Sequence, residues 1–376
     1  MDYFNNKLIT YHDKIFIKTF DFMKDKAILR ELLLSLPNHN KHKIGDITTS
    51  LKGKKIKISN NIVDKDINFF NCLNFGSINQ QLELYGGKFY SLNTVNLGFD
   101  KIFNPSIIQY NNKLFMTFRV DISILSRKTY FCEIDSNFNI ISIYDILDND
   151  NKIKIYEDSR LFIYKNNLYV NFIQYHNYYN NFRVNFANII PGSKIKNKNI
   201  YTPDIDNNNK KTSLQKNWLF FEKNNEIHVI YSLDPMIIVY KSKSNDFIKW
   251  KKIIKKKGIS WEYGEIRSST TPIFIKKYNR YILFFHSHLK TKDSYREYFI
   301  GVFLFDDEYN ITNYTKQPLI ISTKDDIKKS YIAKCILPYG CIQLNNNLIL
   351  TVGVNDSESG IIELPIDKLF NMLLNE

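Results

Sequence analysis

The stretch SIIQYNNKLFMTF, residues 106–118, has the pattern of a β-hairpin. Apolar, aromatic and β-branched residues flank an Asn-Asn pair, and Asn is common in tight turns because it tolerates a left-handed backbone. The same pattern occurs five times along the chain. Its turn markers are about 55, 58, 54 and 68 residues apart and lie at Asn111-Asn112, Asn166-Asn167, Asn224-Asn225, Tyr278-Asn279 and Asn346-Asn347. We therefore interpret the chain as a repeat protein built from hairpins.

The repeat length determines the predicted fold. About 55 residues per repeat leave room for two more strands after each hairpin, and four strands repeated five times predict an all-β fold, a closed five-bladed β-propeller. A stack of β-sandwiches is the alternative, but it would not require such even spacing. We predict that the propeller occupies residues 86–376 and ends in a short C-terminal helix over residues 364–374.

Three other segments carry a structural prediction. Residues 1–85 are predicted to form a small, partly helical N-terminal appendage packed on the propeller, because residues 21–36 have helical periodicity that Pro37 ends. Residues 194–211, dense in Asn, Lys and Asp, are predicted to be an exposed loop between repeats. The run KKIIKKK, residues 251–257, is interpreted as an outer blade strand with a solvated face, in preference to a nucleic-acid or membrane patch.

Composition excludes several classes of protein. Hydrophobic residues at 44% and aromatic residues at 15% exclude a disordered chain. The net charge of +14 could attract phosphates, nucleotide sugars or nucleic acid, but arginine, the usual reader of base edges, is scarce, so we predict no nucleic-acid partner. Cys72, Cys132, Cys335 and Cys341 form no CxxC pair and no histidines lie at zinc-ligand spacing, which predicts no disulfide scaffold and no structural zinc site. No cofactor or catalytic metal is predicted, and a calcium ion on the propeller axis is an alternative. No signal sequence or long apolar run is present, which predicts a cytoplasmic protein without a membrane partner.

Polar residues recur at a constant offset from the turn markers. Seven residues after each of the first four markers come Arg119, Gln174, Ser232 and His286, and eight or nine residues before them come Asn104, Asp158, Lys216 and Thr270. In a propeller these strand ends converge on the central axis, where a site can be built from separate blades. Capping of turns is an alternative role for any single Asn or Ser. For the charged residues a site is favoured, because charges near an axis are expensive to desolvate unless they are paired or used.

Five motifs, in order along the chain, resemble those of glycoside hydrolase family 130, the β-mannoside phosphorylases, and of the related β-1,2-mannosyltransferase propellers. The resemblance covers residues 85–360 approximately. It rests on Asn104-Pro105-Ser106, Glu157-Asp158-Ser159-Arg160, Lys216-Asn217-Trp218, the run from Arg267 to Pro272 with Phe285-His286-Ser287, and Val352-Gly353-Val354-Asn355-Asp356. The family has Glu-Asp-Pro-Arg at the second motif, where this chain has Ser159.

The resemblance implies an enzyme that transfers a glycosyl unit, a mannosyl unit in this family, between a β-mannoside or related glycan and phosphate or a sugar acceptor. It implies that Asp158 is the general acid and that Arg119, Arg160 and His286 hold phosphate, with Arg267 as a further candidate. A sugar phosphate or a nucleotide sugar is an alternative donor. Substrate-binding positions are predicted at Asn104, Lys216, Asn217, Asp234 and Asp356, and sugar-stacking rings at Trp261 and Tyr263.

Two rival functions remain open. Residues 231–235 replace a further arginine that phosphorylases commonly have, which weakens the phosphorylase interpretation. An inverting hydrolase would need a second carboxylate roughly 6.5–9.5 Å from the first, and Glu262 or Glu265 could supply it. A propeller that binds glycans or proteins without catalysis is the other alternative.

The charge of Arg160, two residues after Asp158, favours the ionised form of Asp158. If Asp158 is the acid, burial or another neighbour must offset this effect and raise its pKa.

Overall fold

The computed structural model describes residues 77–92, 99, 102–123, 126–146, 156–176, 181–195, 199–206, 215–243, 247–290, 296–321, 333–355 and 358–375. The described chain begins with helix α1 (Ile78–Glu83) and strand β1 (Lys88–Ser91) and ends with helix α2 (Ile366–Asn375). Ser77 and Gln80 form a capping box at the start of α1. The strands between the two helices form five sheets, which are the blades.

The first three blades each contain four antiparallel strands in chain order. Blade 1 contains β2 (Ile102–Tyr110), β3 (Lys113–Ser123), β4 (Ser126–Ile134) and β5 (Ile140–Asp145). Blade 2 contains β6 (Tyr156–Tyr164), β7 (Asn167–His176), β8 (Asn181–Ile189) and β9 (Ile200–Tyr201). Blade 3 contains β10 (Leu219–Lys223), β11 (Glu226–Ser232), β12 (Met236–Ser242) and β13 (Trp250–Lys257).

Blades 4 and 5 complete the ring. In blade 4, the inner strands β14 (Arg267–Ser268) and β15 (Ile273–Ile275) pair with β16 (Arg280–Lys290) after a 3₁₀ turn at Lys276–Tyr278, and β16 pairs with β17 (Arg296–Phe305). The short strands that pair with β17 are β18 (Ile311–Tyr314), β19 (Ile320–Ile321) and β20 (Ala333–Lys334). Blade 5 contains β21 (Ile336–Leu344), β22 (Asn347–Val354), β23 (Glu358–Pro365) and, outermost, β1, whose Lys88 lies opposite Glu363.

Among the described residues the core contains six apolar clusters, and the five largest each lie between two neighbouring blades. Phe131 and Phe172, for example, join blades 1 and 2, and each fully buried aromatic side chain contributes about 1.5–3 kcal/mol of transfer free energy. Met116 and Ile349 join blade 1 to blade 5. This last cluster closes the ring, so the five-bladed propeller predicted from the sequence is confirmed.

The inner hairpin of every blade turns at or beside the predicted marker. Asn111, Asn112, Asn224 and Asn225 have φ between 49° and 61°, as the central residues of two-residue hairpin turns require. In blades 2 and 5 the turn lies one residue before the marker, because Tyr164 pairs with Asn167 and Leu344 with Asn347.

Other structural predictions have different outcomes. Strand β13 confirms that residues 251–257 lie on the outer edge of a blade. The C-terminal helix is present, at Ile366–Asn375. The predicted loop over residues 194–211 was partly wrong, since it contains β9 and the buried side chains of Ile195 and Ile205. The predicted helix over residues 21–36 lies outside the described residues, and the boundary of the appendage at residue 85 stays a prediction. No helix in the described part of the chain combines the length and apolar character that a membrane crossing requires.

Candidate active site

The inner strands of three blades carry a β-bulge near the same end. The pairing skips between Phe103 and Ser106 in blade 1, between Glu157 and Arg160 in blade 2, and between Pro338 and Gly340 in blade 5. Bulges re-aim side chains and are frequent beside active sites. The residues left out of the pairing include Asn104, Asp158 and Tyr339, and all three side chains meet.

Two of these residues have an unusual backbone. Asn104 and Asp158 have φ of 57° and 55°, and Asn217, just before β10, has φ of 60°. A left-handed backbone is uncommon for residues other than glycine and is frequent at functional sites. Asn104 also lies so close to blade 5 that a β-carbon on Gly353 would come within 2.4 Å of its Oδ1 atom. Gly353 therefore provides the room that Asn104 needs.

Asp158 is held by donors from three elements. Its Oδ1 atom accepts hydrogen bonds from Asn104 Nδ2 at 2.9 Å, Tyr339 Oη at 3.3 Å and Arg119 Nη1 at 3.4 Å. Burial alone would raise the pKa of Asp158, but the charges of Arg119, Lys216 and Arg160, with the hydrogen bond from Asn104, outweigh it and hold the pKa below the ordinary value. Burial thus fails to offset the cations, and the carboxyl is ionised at neutral pH.

Glu157, the neighbour of Asp158, is the most heavily paired carboxylate of this region. Its Oε2 atom accepts from Arg127 Nη1 at 2.5 Å and Arg119 Nη1 at 3.3 Å, and its Oε1 atom accepts from Lys216 Nζ at 2.8 Å. The side chain of Glu157 is 4% exposed, whereas that of Lys216 is 31% exposed. Glu157 therefore ties strands of blades 1 and 2 to the segment that precedes blade 3.

Arg160 is buried at the centre of the propeller, with 1% of its surface exposed. Its Nε atom donates to the carbonyl of Ser269 at 2.7 Å, its Nη1 atom to the carbonyl of Asp158 at 3.1 Å, and its Nη2 atom to Asn217 Oδ1 at 3.3 Å. The guanidinium also lies 4.8 Å from the centroid of the Tyr339 ring. Arg160 thus connects blades 2, 4 and 5 and supports the backbone of Asp158.

His286 lies opposite Arg267 in the pairing of β16 with β14. Its Nδ1 atom is 2.7 Å from Ser269 Oγ. Burial, followed by the charges of Arg160 and Arg267, lowers the pKa of His286 to about 3. His286 is therefore neutral at physiological pH and can offer a ligand a hydrogen bond but no positive charge.

This neutral histidine makes stability depend on pH. The buried His228, 2.5 Å from Tyr309 Oη, behaves alike, since burial lowers its pKa to about 4. In the unfolded chain both rings titrate near 6.5, so below that pH the unfolded state binds more protons and stability falls until the folded pKa is reached. We expect the free energy of unfolding to fall between pH 6.5 and 5 by up to about 1.4 kcal/mol per pH unit for each ring.

Urea unfolding at pH 7.5, 6.5, 5.5 and 5.0 checks this expectation. His228→Gln removes one of the two titrations without touching the Asp158 region and should flatten the pH dependence. The lowered pKa of Asp158 affects stability in a different pH range, because the stabilisation from its ionised carboxylate is lost only as the pH falls below about 4. A stability that stays constant from pH 7.5 to 5.0 would contradict the assignment.

A cleft of about 500 Å³ opens between blades 3 and 4 beside this network. The predicted site residues that line it are Lys216, Asn217, Asp234, Glu265 and Arg267. Asp234 accepts from the backbone N–H of Ile266 at 3.0 Å, and Arg267 pairs with Glu265 at 3.3 Å. The cleft therefore combines cationic, carboxylate and amide groups, a mixture that suits a sugar or phosphate ligand.

Some predicted site residues lie elsewhere. Trp261 and Tyr263 are buried in the core between blades 3 and 4, where Trp261 donates to Ser287 Oγ at 2.7 Å, so their rings offer no stacking face to the cleft. Glu262 is half-buried and is not among the residues that line the cleft. Asp356 lies outside the described residues. The described ranges contain no group of three or more His, Cys, Asp and Glu side chains placed to hold a metal ion.

Four residues of this network were not among the predicted site residues, namely Asp121, Arg127, Glu157 and Tyr339, although Glu157 belongs to the second motif. Tyr339 lies at a bulge beside Pro338, which comes nine residues before Asn347 of the fifth turn marker and so has the same offset as Asp158. Arg127 lies on β4, which has no turn marker of its own. Tyr339 could have been predicted only by noting that its position in blade 5 is equivalent to those of Asn104 and Asp158 in blades 1 and 2. No sequence signal indicated Arg127.

Solved structures with this architecture share the fold at low sequence identity. The β-1,2-mannobiose phosphorylase of Listeria innocua is 15% identical with a TM-score of 0.55, and the match covers 77% of this chain and 94% of that chain. A glycosyl hydrolase from Bacteroides ovatus is 15% identical with a TM-score of 0.55, covering 70% of this chain and 84% of that one. No curated protein matches the sequence closely enough to count as a relative.

A third solved structure comes from work on the family of mannoside phosphorylases, which contains glycoside hydrolases that target β-1,2 mannosidic linkages in Candida mannan. It is 14% identical with a TM-score of 0.54, and the match covers 70% of this chain and 84% of that chain. The fold therefore defines the class, a five-bladed propeller shared by glycoside hydrolases and mannoside phosphorylases. Residues 77–375 match the family model described as beta-1,4-mannooligosaccharide phosphorylase, so the chain belongs to glycoside hydrolase family 130.

Proposed function

We propose that the protein transfers a mannosyl unit between a β-mannoside and inorganic phosphate, with Asp158 as the acid and base. One observation carries the proposal: a bulge aims the carboxylate of Asp158 into a network of cations, and Lys216 of that network also lines an adjacent cleft of about 500 Å³. Membership of glycoside hydrolase family 130 supports glycoside chemistry at this position.

The proposed step breaks one bond and forms one. A phosphate oxygen attacks the anomeric carbon, the glycosidic C–O bond breaks, and the proton of Asp158 passes toward the departing oxygen. The products are a sugar 1-phosphate and a glycan shortened by one sugar. In the reverse direction the carboxylate of Asp158 takes the proton of the acceptor hydroxyl while phosphate leaves.

Two cationic side chains of the cleft could bind an anionic ligand, beside the carboxylates of Asp234 and Glu265. Lys216 and Arg267 line the cleft. Arg119 does not line it but pairs with Glu157, the carboxylate that Lys216 also pairs with. Because Asp158 is ionised without a ligand, it must gain a proton before it acts as an acid. A bound phosphate would offset the cations and raise the pKa of Asp158, which couples anion binding to protonation.

Hydrolysis is the second candidate, and two observations favour it. Glu265 lines the same cleft and is a carboxylate that could activate water. Asp234 stands in the segment where phosphorylases commonly have a further arginine. Hydrolysis would give free mannose and would not require phosphate.

Product analysis tests these alternatives. Purified protein is incubated with short β-mannosides with and without phosphate, and with mannose 1-phosphate or nucleotide-linked mannose plus a mannoside acceptor. We expect phosphate-dependent release of mannose 1-phosphate and, in reverse, extension of the acceptor by mannose 1-phosphate. Phosphate-independent release of mannose would support hydrolysis instead. Binding of a mannoside without turnover of any substrate would support the non-catalytic alternative and contradict the proposal.

A further inference from the structure

Glu157 lies beside Asp158 and shares Arg119 with it, but it also pairs directly with Arg127 and Lys216. It belongs to β6, its side chain is almost fully buried, and it binds Arg119 of β3, Arg127 of β4 and Lys216 of the segment before β10. A buried carboxylate is expensive to desolvate, and three cationic donors compensate for that cost. None of these donors is close in sequence to Glu157, so the folded propeller assembles the cluster.

The charges of this cluster are nearly balanced. Asp121 is the second carboxylate of the cluster, 3.2 Å from Arg119 Nε and 3.5 Å from Arg127 Nε. Three positive side chains therefore face two negative ones before Asp158 is included. Asp158, which also contacts Arg119, completes the balance. Any change in the charge of Glu157 is then felt directly by Asp158 and by an anion next to Lys216.

We propose that Glu157 is a positioning residue that sets how much positive charge reaches Asp158 and an anion in the cleft. It does so by holding Arg119, Arg127 and Lys216 and cancelling part of their charge. The inference rests on the proposed function only in taking inorganic phosphate as the anion. Because Lys216 contacts Glu157 and also lines the cleft, it is the side chain through which this effect reaches the ligand.

Two single substitutions are expected to act in opposite directions. Glu157→Gln removes a negative charge, so we expect phosphate to bind about tenfold more tightly, the effect of one unit charge several ångströms away in a partly buried site. Arg127→Gln removes a positive charge, so phosphate is expected to bind about tenfold more weakly. The double variant restores the balance and is expected to bind phosphate as the wild type does.

Calorimetric titration of inorganic phosphate into the full-length proteins measures these affinities, and circular dichroism with thermal unfolding confirms that each variant is folded. A purely structural role for Glu157 predicts that both single variants lose affinity together, and that outcome would overturn the proposal. Unchanged affinity in folded variants, or no phosphate binding by the wild type at millimolar concentrations, would also overturn it. If Glu157→Gln does not fold, the double variant decides, because wild-type affinity in it supports the proposal and a loss of affinity contradicts it.

Turnover supplies a second readout wherever it is detected. The extra positive charge in Glu157→Gln favours the ionised form of Asp158, so the loss of activity with rising pH is expected to begin at lower pH than in the wild type. Turnover is expected to fall while the KM for phosphate also falls. Phosphate binding without turnover overturns only the proposed reaction, phosphate affinities that change in the wrong direction overturn only the role of Glu157, and absence of phosphate binding by the wild type overturns both.

Discussion

Asp158→Asn is expected to lower the turnover of an unactivated β-mannoside by about a thousandfold, within the range by which general acids contribute to catalysis. Asparagine has the same shape, and its side-chain oxygen can accept the hydrogen bonds that Asn104, Tyr339 and Arg119 donate to Asp158 Oδ1. It cannot give a proton to the departing oxygen. We expect the free energy of unfolding to change by only about 1–2 kcal/mol, which urea unfolding measures.

An activated substrate separates the role of an acid from other roles. A nitrophenyl β-mannoside has a leaving group that departs without a proton, so Asp158→Asn should retain much more of its activity on this substrate than on a disaccharide. Asp145→Asn is the matched control: Asp145 is a partly buried carboxylate paired with Lys128 at 3.1 Å on outer strands of blade 1. It makes the same chemical change away from the cleft. Equal losses on both substrates, or full activity in Asp158→Asn, would contradict the assignment.

The architecture was predictable because its signal is local and repeated. A pair such as Asn111-Asn112 favours a tight turn through its own backbone preference, whatever the rest of the chain does. Five such turns at nearly even spacing leave few folds other than a five-bladed propeller. The same offsets selected Asn104, Asp158 and Lys216, and the structure brings their side chains into one network.

Other features depend on contacts between distant parts of the chain. Strand β1 completes blade 5 by pairing with β23, more than 260 residues later, and nothing in its four residues indicates that partner. Trp261 and Tyr263 are suitable for sugar stacking by residue type, but the packing of blade 3 against blade 4 buries both rings. Arg127 joins the network only because β4 lies next to β3 and both face Glu157.

The charge of Arg160 lowers the pKa of Asp158, as the sequence predicted, but the bulge of β6 changes how the two residues contact each other. Two residues apart on a regular strand, both side chains would share a face and pair. The extra residues in the bulge of β6 break this alternation, so Arg160 donates to the backbone carbonyl of Asp158. The carboxylate instead receives its hydrogen bonds from blades 1 and 5. The bulge thus separates the carboxylate that we propose as the acid from the guanidinium that supports its backbone.

Arg160→Lys is expected to have the largest effect on stability, with a loss of about 2–4 kcal/mol in the free energy of unfolding and a fall in turnover. The planar guanidinium reaches the carbonyl oxygens of Ser269 and Asp158 and the amide oxygen of Asn217 at once. A lysine ammonium keeps the charge but is a single point that cannot span all three acceptors. The acceptor on Ser269 is buried and those on Asp158 and Asn217 are partly buried, and a fully buried acceptor left without a donor costs about 1–3 kcal/mol.

Urea unfolding of Arg160→Lys and of Arg280→Lys measures this effect against a matched control. Arg280 is half-exposed and donates to the carbonyl of Asn279 in a surface turn, so its replacement is expected to change the free energy of unfolding by less than about 0.5 kcal/mol. The family resemblance implies instead that Arg160 holds phosphate. A folded Arg160→Lys protein with unchanged stability that no longer binds phosphate would support that role and contradict ours. Lost stability with phosphate binding retained would show that Arg160 supports Asp158 through the backbone.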